Sequence, residues 1–545
     1  MKGYLDNTAM AKLTIDGREI EVEDGLNIIQ AAARLDIEIP HFCYHPALSV
    51  VAQCRQCLVE VEGVPKVMPA CSTFVRDGLN IKTDSEKAVK AQRATVEFTL
   101  INHPLDCPIC DKGGECPLQL TTFKHGPGYS RFEEPEEKRV RKKYPLGERI
   151  MYDPNRCIMC TRCVRFTDEV TGTGELGYQG RGFKKKIVVF PGSPLDNELA
   201  GNVIDLCPVG ALLSRDSLHE ERVWYWKFTD TVCSLCSNGC NITVGVDPRR
   251  GRISRVRPRV NPEVNGFWIC DTGRYGFKDA PGQRRLMEPL LRVGEGFEPR
   301  TWQEVLEATH TRLEALRRED PGSVAIVGSA LMTNEELYLL QKISIASGIP
   351  NLVVRTGTLD AEKKFGIIST DPFPNSAGAR DLGLNDDIDA LASVIEGVLE
   401  GKLSGLYVAG VDLFDLVPEE AKAKLRESLV KLRFLAVQDF RVTETTKLAA
   451  AVLPGASPYE KEGTFTNDEG RVQKLNIAIP PPGDSKPDWE ILTLLGTRFR
   501  DGGFKHSSPS EIAEEIAKQI PSYSNISYEK IGSLGMMRED EHTAS

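Results

Sequence analysis

The sequence DPNRCIMCTRCVRF occupies residues 153–166, and DLCPVGALLS follows at 205–214. The cysteines of these two stretches, which we call group three, are Cys157, Cys160, Cys163 and Cys207. A tight C-x2-C-x2-C run with a remote Cys-Pro is the ligand pattern of bacterial [4Fe–4S] ferredoxins. Zinc fits this pattern poorly, because zinc sites usually take two close cysteine pairs. The pattern therefore predicts a ferredoxin-like [4Fe–4S] domain over 150–220.

The composition is that of an ordinary soluble chain: 545 residues, 41% hydrophobic and 27% charged, with a net charge of −10. This excludes a disordered or collagen-like chain, and no apolar run is long enough to predict a membrane span. All fifteen cysteines lie between Cys43 and Cys270. An odd number clustered as Cys-x-x-Cys indicates metal ligation in a reducing compartment rather than disulfide bonds.

Group one follows a predicted hairpin and helix in the order of a β-grasp ferredoxin. Its members, spaced C-x10-C-x2-C-x13-C, are Cys43, Cys54, Cys57 and Cys71. Four soft thiolates on a long loop predict a [2Fe–2S] cluster of plant-ferredoxin type. Zinc is the alternative, although only one close pair is present.

Group two supplies three cysteines, one fewer than a [4Fe–4S] cluster needs. Its candidate ligands, spaced H-x3-C-x2-C-x5-C, are His103, Cys107, Cys110 and Cys116. His103 stands at a spacing that allows it to complete the set through an imidazole nitrogen. Asp106, Asp111 or His125 could serve instead, or the site could hold a three-iron cluster.

Group four has the spacing C-x2-C-x3-C-x29-C, and its members are Cys233, Cys236, Cys240 and Cys270. This spacing also suits a [4Fe–4S] cluster, but here zinc is a more serious alternative. The arginine-rich run between Cys240 and Cys270, residues 249–259, could suggest a nucleic-acid patch. We interpret it as a hairpin through Asp247–Gly251 with solvated arginines, and we expect no nucleic-acid partner.

Beyond residue 300, short apolar strands alternate with helices, which predicts an open α/β sheet. Together these patterns predict a multidomain α+β and α/β chain. The predicted segments are a β-grasp [2Fe–2S] ferredoxin domain at 11–83, a [4Fe–4S] domain with one histidine and three cysteines at 84–128, a charged connector at 129–149, a ferredoxin-like [4Fe–4S] domain at 150–220, a further [4Fe–4S] domain at 221–280, an α/β domain at 281–525 and a loose tail at 526–545.

The four groups, in this order, resemble the family of the large iron–sulfur subunit of NADH–quinone oxidoreductase, which is respiratory complex I. The matching text includes CRQCLVEVEG at 54–63, HPLDCPICDKGGECPLQ at 103–119 and NGFWICDTGRYG at 265–276. Thinner matches, such as TNEELYLLQK at 333–342 and EGTFTNDEGRVQ at 462–473, resemble molybdopterin oxidoreductases. The resemblance implies that the α/β domain is a truncated, degenerate molybdopterin-oxidoreductase domain.

The resemblance also implies His103 as the fourth ligand of group two, and with it one [2Fe–2S] and three [4Fe–4S] clusters. It implies an electron path from a flavin/NADH-binding subunit through group one, group three and group two. The electrons then pass to iron–sulfur subunits leading to quinone, on the cytoplasmic side of the bacterial inner membrane. No cysteine follows Cys270, so we expect no molybdenum cofactor. The alternatives are subunits of an NAD-linked formate dehydrogenase or a hydrogenase.

Overall fold

A computed structural model describes residues 10–131, 141–279, 285–358, 362–499 and 503–539. The chain divides into two compact units between Tyr225 and Trp226, which we call unit one and unit two. Residues 132–140 of the predicted connector lie outside the described ranges.

Unit one begins with a five-stranded sheet whose strands, in sheet order, are Arg18–Glu23, Met10–Ile15, Asn80–Lys82, Leu58–Val61 and Met68–Pro69. The predicted hairpin is confirmed, because the first two strands of the chain pair antiparallel across Asp16 and Gly17. Helix Ile28–Ala33 buries Ile28, Ile29, Ala31 and Ala32 in the core of this sheet. Asn27 caps the helix by accepting a hydrogen bond from the Gln30 amide at 3.0 Å. Hairpin, helix and ligand loop form the β-grasp arrangement that the sequence predicts.

The rest of unit one consists of short elements around the cysteine loops. Its helices are Glu86–Ile101, Pro117–His125, Arg162–Glu169 and Asn202–Leu206. Its short strands are Tyr144–Pro145, Ile150–Tyr152, Leu176–Gln179, Lys186–Val189 and Leu212–Ser214. The sequence predicts Asp84 or Ser85 as the cap of the first of these helices, and the structure selects Ser85, whose side chain accepts from the Ala88 amide at 3.3 Å.

Unit two opens with a three-stranded antiparallel sheet of Lys227–Val232, Asn241–Asp247 and Arg252–Pro258. The hairpin predicted through the arginine run is confirmed. Arg255 stacks on the Trp226 ring with 4.6 Å between the guanidinium carbon and the ring centroid. Helix Asp271–Tyr275 begins directly after Cys270.

The main sheet of unit two has seven strands in the order Gly296–Pro299, Leu290–Val293, Ala451–Pro454, Phe434–Asp439, Gly405–Ala409, Val324–Ser329 and Asn351–Arg355. The last five strands of this order are parallel. Helices in this unit are Trp302–Glu319, Asn334–Ser347, Ser376–Asp381, Ile388–Leu399, Glu419–Lys431, Asp488–Phe499 and Pro509–Gln519. Strands such as Val324–Ser329 are buried along their whole length, as parallel strands covered on both faces are. The predicted open α/β sheet is therefore confirmed.

The C-terminal segment differs from the loose tail predicted for 526–545. Ile526 and Ile531 are buried in the main core of unit two. Strand Met536–Met537 extends a sheet formed by Gly463–Thr466 and Arg471–Leu475. The sequence of this segment has only isolated apolar residues without periodicity, so it does not predict this packing. Among the described residues, none of the helices has the length and apolarity that crossing a membrane requires.

Candidate metal centres

Group one lies on the loop between helix Ile28–Ala33 and the central strands of the β-grasp sheet. Its four thiols form two hydrogen-bonded pairs, Cys43 with Cys54 and Cys57 with Cys71. The Cys43 thiol donates to Cys54 and so lowers the pKa of Cys54 to about 5, while the same bond raises the pKa of Cys43. The Cys43 amide also points at Cys54 Sγ, at 3.4 Å. The loop thus collects four thiols and directs backbone N–H groups towards them.

This loop contains no glycine between Tyr44 and Gln53, yet it makes tight turns. Ala52 and Arg55 take up the left-handed conformation, with φ of 49° and 56°. Such backbone costs about 1–3 kcal/mol per residue and persists where surrounding structure enforces it. Here it surrounds Cys54, at the point where the backbone must bend around the sulfur atoms.

Group three is gathered by two helices of unit one. Helix Arg162–Glu169 begins within the cysteine triplet, and helix Asn202–Leu206 ends immediately before Cys207. All four thiols line one small cavity together with Tyr152. Burial, followed by the charge of neighbouring Cys207, raises the pKa of Cys160 to about 12.

The triplet of group three turns at two left-handed residues, Met159 and Thr161, with φ of 53° and 61°. The Met159 amide donates to Cys157 Sγ at 3.4 Å. Four convergent thiols around a small cavity suit a cluster, because the thiolates only need to cap its iron corners.

Group two lies beside group three. Cys110 and Cys116 are buried, whereas Cys107 is exposed. The Cys116 thiol lies 3.6 Å from the carbonyl oxygen of Pro208, the residue after Cys207. A methyl group added to Gly210 would lie only 2.2 Å from Cys110 Sγ. The Cys207–Gly210 segment therefore serves two ligand sets at once.

The proposed imidazole ligand of group two follows helix Glu86–Ile101. His103 lines a cavity to which Cys54 and Cys157 also contribute. Two of its rivals are occupied elsewhere: Asp106 pairs with Arg156 at 2.6 Å, and Asp111 accepts from the His219 amide at 2.9 Å. The fourth ligand of group two stays a prediction, and these contacts favour His103 over the aspartates.

Group four lies at one end of the three-stranded sheet of unit two. Burial and then the charges of Cys236, Cys240 and Cys270 raise the pKa of Cys233, so the four thiols lie together. The Gly273 amide donates to Cys270 Sγ at 3.2 Å, and a Cβ on this glycine would lie 3.2 Å from Cys233 Sγ. Glycine therefore leaves room for the sulfur atoms.

Nowhere in the described ranges do three His, Cys, Asp or Glu side chains converge closely enough to bind a single metal ion. In a cluster, irons and sulfides separate the thiolates. The soft donor set and its spacing fit iron–sulfur clusters.

Family models match the ligand segments one by one. The 2Fe-2S iron-sulfur cluster binding domain matches residues 8–86, and the NADH-ubiquinone oxidoreductase-G iron-sulfur binding region matches 92–131. The ferredoxin-like domain of NADH-quinone oxidoreductase subunit 3 matches 147–213. Two molybdopterin oxidoreductase models match farther along the chain, the Fe4S4 domain at 226–280 and the main domain at 285–371 and 344–498.

The mitochondrial NADH-ubiquinone oxidoreductase 78 kDa subunit of Candida albicans is 32% identical, over 89% of this chain and 82% of that relative. The chain belongs to this family. The NADH-quinone oxidoreductase G subunit of Streptomyces coelicolor is 41% identical, over 62% of this chain and 39% of its own length. The corresponding protein of Rickettsia bellii is 39% identical, over 61% of this chain and 48% of its own length.

An NAD+-reducing [NiFe]-hydrogenase, solved in its H2-reduced state, is 27% identical with a TM-score of 0.35, and covers 39% of this chain and 92% of its own. Membership of the complex I iron–sulfur subunit family confirms the predicted family and fold. The chain carries [2Fe–2S]- and [4Fe–4S]-binding domains and a molybdopterin-oxidoreductase domain.

Four residues of these centres were not predicted from the sequence: Arg162, Arg165, Gly210 and Asn238. Asn238 is fully buried and donates through Nδ2 to Cys240 Sγ at 3.1 Å. Arg165 donates to the carbonyl oxygen of Cys43, far away in the sequence. The only sequence signal was their position beside a ligand cysteine, which many unrelated residues share.

Proposed function

We propose that this chain is the electron-transfer iron–sulfur subunit of NADH:quinone oxidoreductase, complex I. One observation carries the proposal: three ligand sets of unit one adjoin in a fixed order. Arg165 bonds to the carbonyl oxygens of Cys43 in group one and Cys160 in group three, at 2.6 and 3.4 Å. Cys116 of group two lies against Pro208, beside the last ligand of group three. Group three thus contacts both of the others, and we infer that electrons pass through it from group one to group two.

We infer that sixteen residues ligate one [2Fe–2S] and three [4Fe–4S] clusters. The ligands are Cys43, Cys54, Cys57 and Cys71; His103, Cys107, Cys110 and Cys116; Cys157, Cys160, Cys163 and Cys207; and Cys233, Cys236, Cys240 and Cys270. The first set would hold the [2Fe–2S] cluster, and each later set would hold one [4Fe–4S] cluster. Every cysteine of the chain is then used.

An iron–sulfur cluster supplies a site for one electron. The protein fixes the spacing of such sites and tunes their potentials through ligand identity, hydrogen bonds to sulfur and burial. A neutral imidazole at His103 would replace an anionic thiolate. This substitution makes the cluster less negative, so it favours the reduced state and raises the reduction potential. The amides of Cys43, Met159 and Gly273, which point at sulfur atoms, act in the same direction.

Family membership makes other subunits of complex I the partners of this chain. We propose that electrons arrive from the flavin/NADH-binding subunit and leave through iron–sulfur subunits towards quinone. Coupling to proton translocation would belong to the whole complex. We further propose a peripheral position on the cytoplasmic side of the bacterial inner membrane, and a degenerate α/β domain without a molybdenum cofactor.

Metal analysis of the purified complex tests this proposal. After the iron and sulfide of the partner iron–sulfur subunits are subtracted, our assignment requires about fourteen irons and a comparable amount of acid-labile sulfide per copy of this chain, from one [2Fe–2S] and three [4Fe–4S] clusters. Variants Cys57→Ser, Cys110→Ser, Cys163→Ser and Cys240→Ser should each remove a different EPR signal. The ligand assignment would be contradicted if zinc were found in place of iron. It would also be contradicted if two of these variants lost the same EPR signal.

A further inference from the structure

Helix Arg162–Glu169 connects two ligand loops. It begins inside the cysteine triplet of group three, so its position is fixed by that centre. Its polar side chains reach the loop that carries Cys43 and Cys54 of group one. Arg162 and Arg165 lie three positions apart and therefore share one helix face.

Arg165 makes the central contacts between these loops. Its guanidinium donates to the carbonyl oxygens of Cys43, at 2.6 Å, and Cys160, at 3.4 Å. A further bond goes to the carbonyl oxygen of Ser49. The side chain therefore holds the backbone beside a ligand of group one and the backbone beside a ligand of group three at once.

Other contacts hold the same two loops together. Glu169 accepts hydrogen bonds from the Ser49 amide and hydroxyl, at 2.8 and 2.5 Å. Arg162 donates to the Tyr44 carbonyl, and Gln53 donates to the Met159 carbonyl at 2.5 Å. The interface is thus polar and directional, which fixes a relative position better than apolar packing does.

The positive charge of Arg165 is buried, and what stabilises it there needs an explanation. The residue is only 7% exposed, and its hydrogen bonds described above go to neutral carbonyl oxygens. A buried cation is costly unless negative charge lies nearby. Besides the carboxylate of Glu169, which binds the same Ser49, the thiolate-ligated centres on both sides would supply that charge. Net charge is in turn one of the determinants of a cluster's reduction potential.

We propose that Arg165 is a positioning residue for electron transfer, which clamps group one onto group three and raises the reduction potentials of both by its fixed positive charge. This inference rests on the proposed function. It involves no covalent step and no proton transfer. The guanidinium acts through two features, its several hydrogen-bond donors and its positive charge. Substitution by lysine keeps the charge but not the donor geometry, whereas methionine removes both.

Two variants in the purified complex test the clamp. Arg165→Met keeps an aliphatic stem but removes the charge and the donors, so the EPR midpoint potentials of groups one and three should both shift downward. Arg165→Lys keeps the charge but loses the fork, so the potentials should stay close to those of the unaltered protein. In Arg165→Lys, the distribution of distances between the two centres, measured by paramagnetic relaxation, should broaden or shift to longer distances.

Arg215→Met is the matched control, because Arg215 also donates to a backbone carbonyl, that of Glu148 at 2.8 Å, but is exposed. It should change neither potential. If Arg165→Met fails to retain iron, the distance distribution in Arg165→Lys decides, and an unchanged distribution there would overturn the clamp.

Iron content separates this proposal from the proposed function. Unchanged potentials and spacing in a fully loaded Arg165→Met variant would overturn the clamp alone. Absence of the group one and group three signals from the unaltered complex would overturn both proposals.

Discussion

Gly210 offers a sharp test of how closely group two is packed against group three. Its Cα lies so close to Cys110 that an added Cβ would be 2.2 Å from the sulfur. Non-bonded heavy atoms are at their optimal separation at about 3.5–4.0 Å. In Gly210→Ala the sulfur must therefore move by about 1.3 Å or more, unless the backbone moves instead.

A shift of this size is large for a metal ligand, because ligand distances in metal sites hold to within about 0.2 Å. The Gly210 backbone has little room to move away from the sulfur, because the same Cβ would already lie 3.5 Å from the buried side chain of Arg156. Overpacking of this kind costs about 1–3 kcal/mol. We expect Gly210→Ala to lose the group two cluster, so that the iron content of the complex falls by about four per copy of this chain.

Metal analysis and EPR of the purified complex measure this outcome. Gly128→Ala is the matched control, because a Cβ there meets nothing within 4 Å. It should retain all four clusters. Full iron content and an unaltered group two signal in Gly210→Ala would refute the close packing of Cys110 against Gly210.

Three further outcomes follow from single side chains. His103→Cys should keep a [4Fe–4S] cluster in group two but lower its midpoint potential, because an anionic thiolate replaces a neutral ligand. Asn238→Leu should lower the potential of the group four cluster, because it removes the 3.1 Å hydrogen bond to Cys240 Sγ. Lys461→Met should destabilise unit two by about 3–5 kcal/mol in denaturant unfolding, because it leaves Glu336 and Asp488 buried without the cation that pairs with both.

Each of these has its own control. His125→Cys should leave the group two potential unchanged, and a shift there with none in His103→Cys would favour His125 as ligand. Asn476→Leu removes an exposed hydrogen bond in unit two and should leave group four unaltered. Lys402→Met breaks an exposed ion pair with Glu400 and should cost less than about 1 kcal/mol. Equal losses in the Lys402 and Lys461 variants would refute the account of the buried pair.

Local spacing allowed much of the fold and of the candidate site to be predicted. The hairpin around Asp16-Gly17, a cap at Asp84 or Ser85 and a short apolar strand near 323–327 carry signals within a few positions. The structure confirms the hairpin, selects Ser85 as the cap and places the strand at Val324–Ser329. The grouping of the cysteines is also local, apart from remote members such as Cys207. Family resemblance then supplied the order of the centres.

Long-range contacts could not be predicted in this way. Arg165 reaches the Cys43 carbonyl across 122 positions, and nothing in the sequence near either residue marks the pair. Cys116 meets Pro208 across 92 positions. Ile531 packs into the main core from a segment without periodicity. Such contacts depend on how the helices and strands pack against one another, and local sequence patterns do not specify this tertiary packing.

The central claim is that group three links group one to group two. Cys163→Ser in the assembled complex tests it, with rapid freezing after addition of NADH and EPR of the remaining centres. Our account predicts that group one is reduced as fast as in the unaltered complex while group two stays oxidised, although dithionite still reduces it. Reduction of group two by NADH at the unaltered rate, with the group three signal absent, would contradict the account.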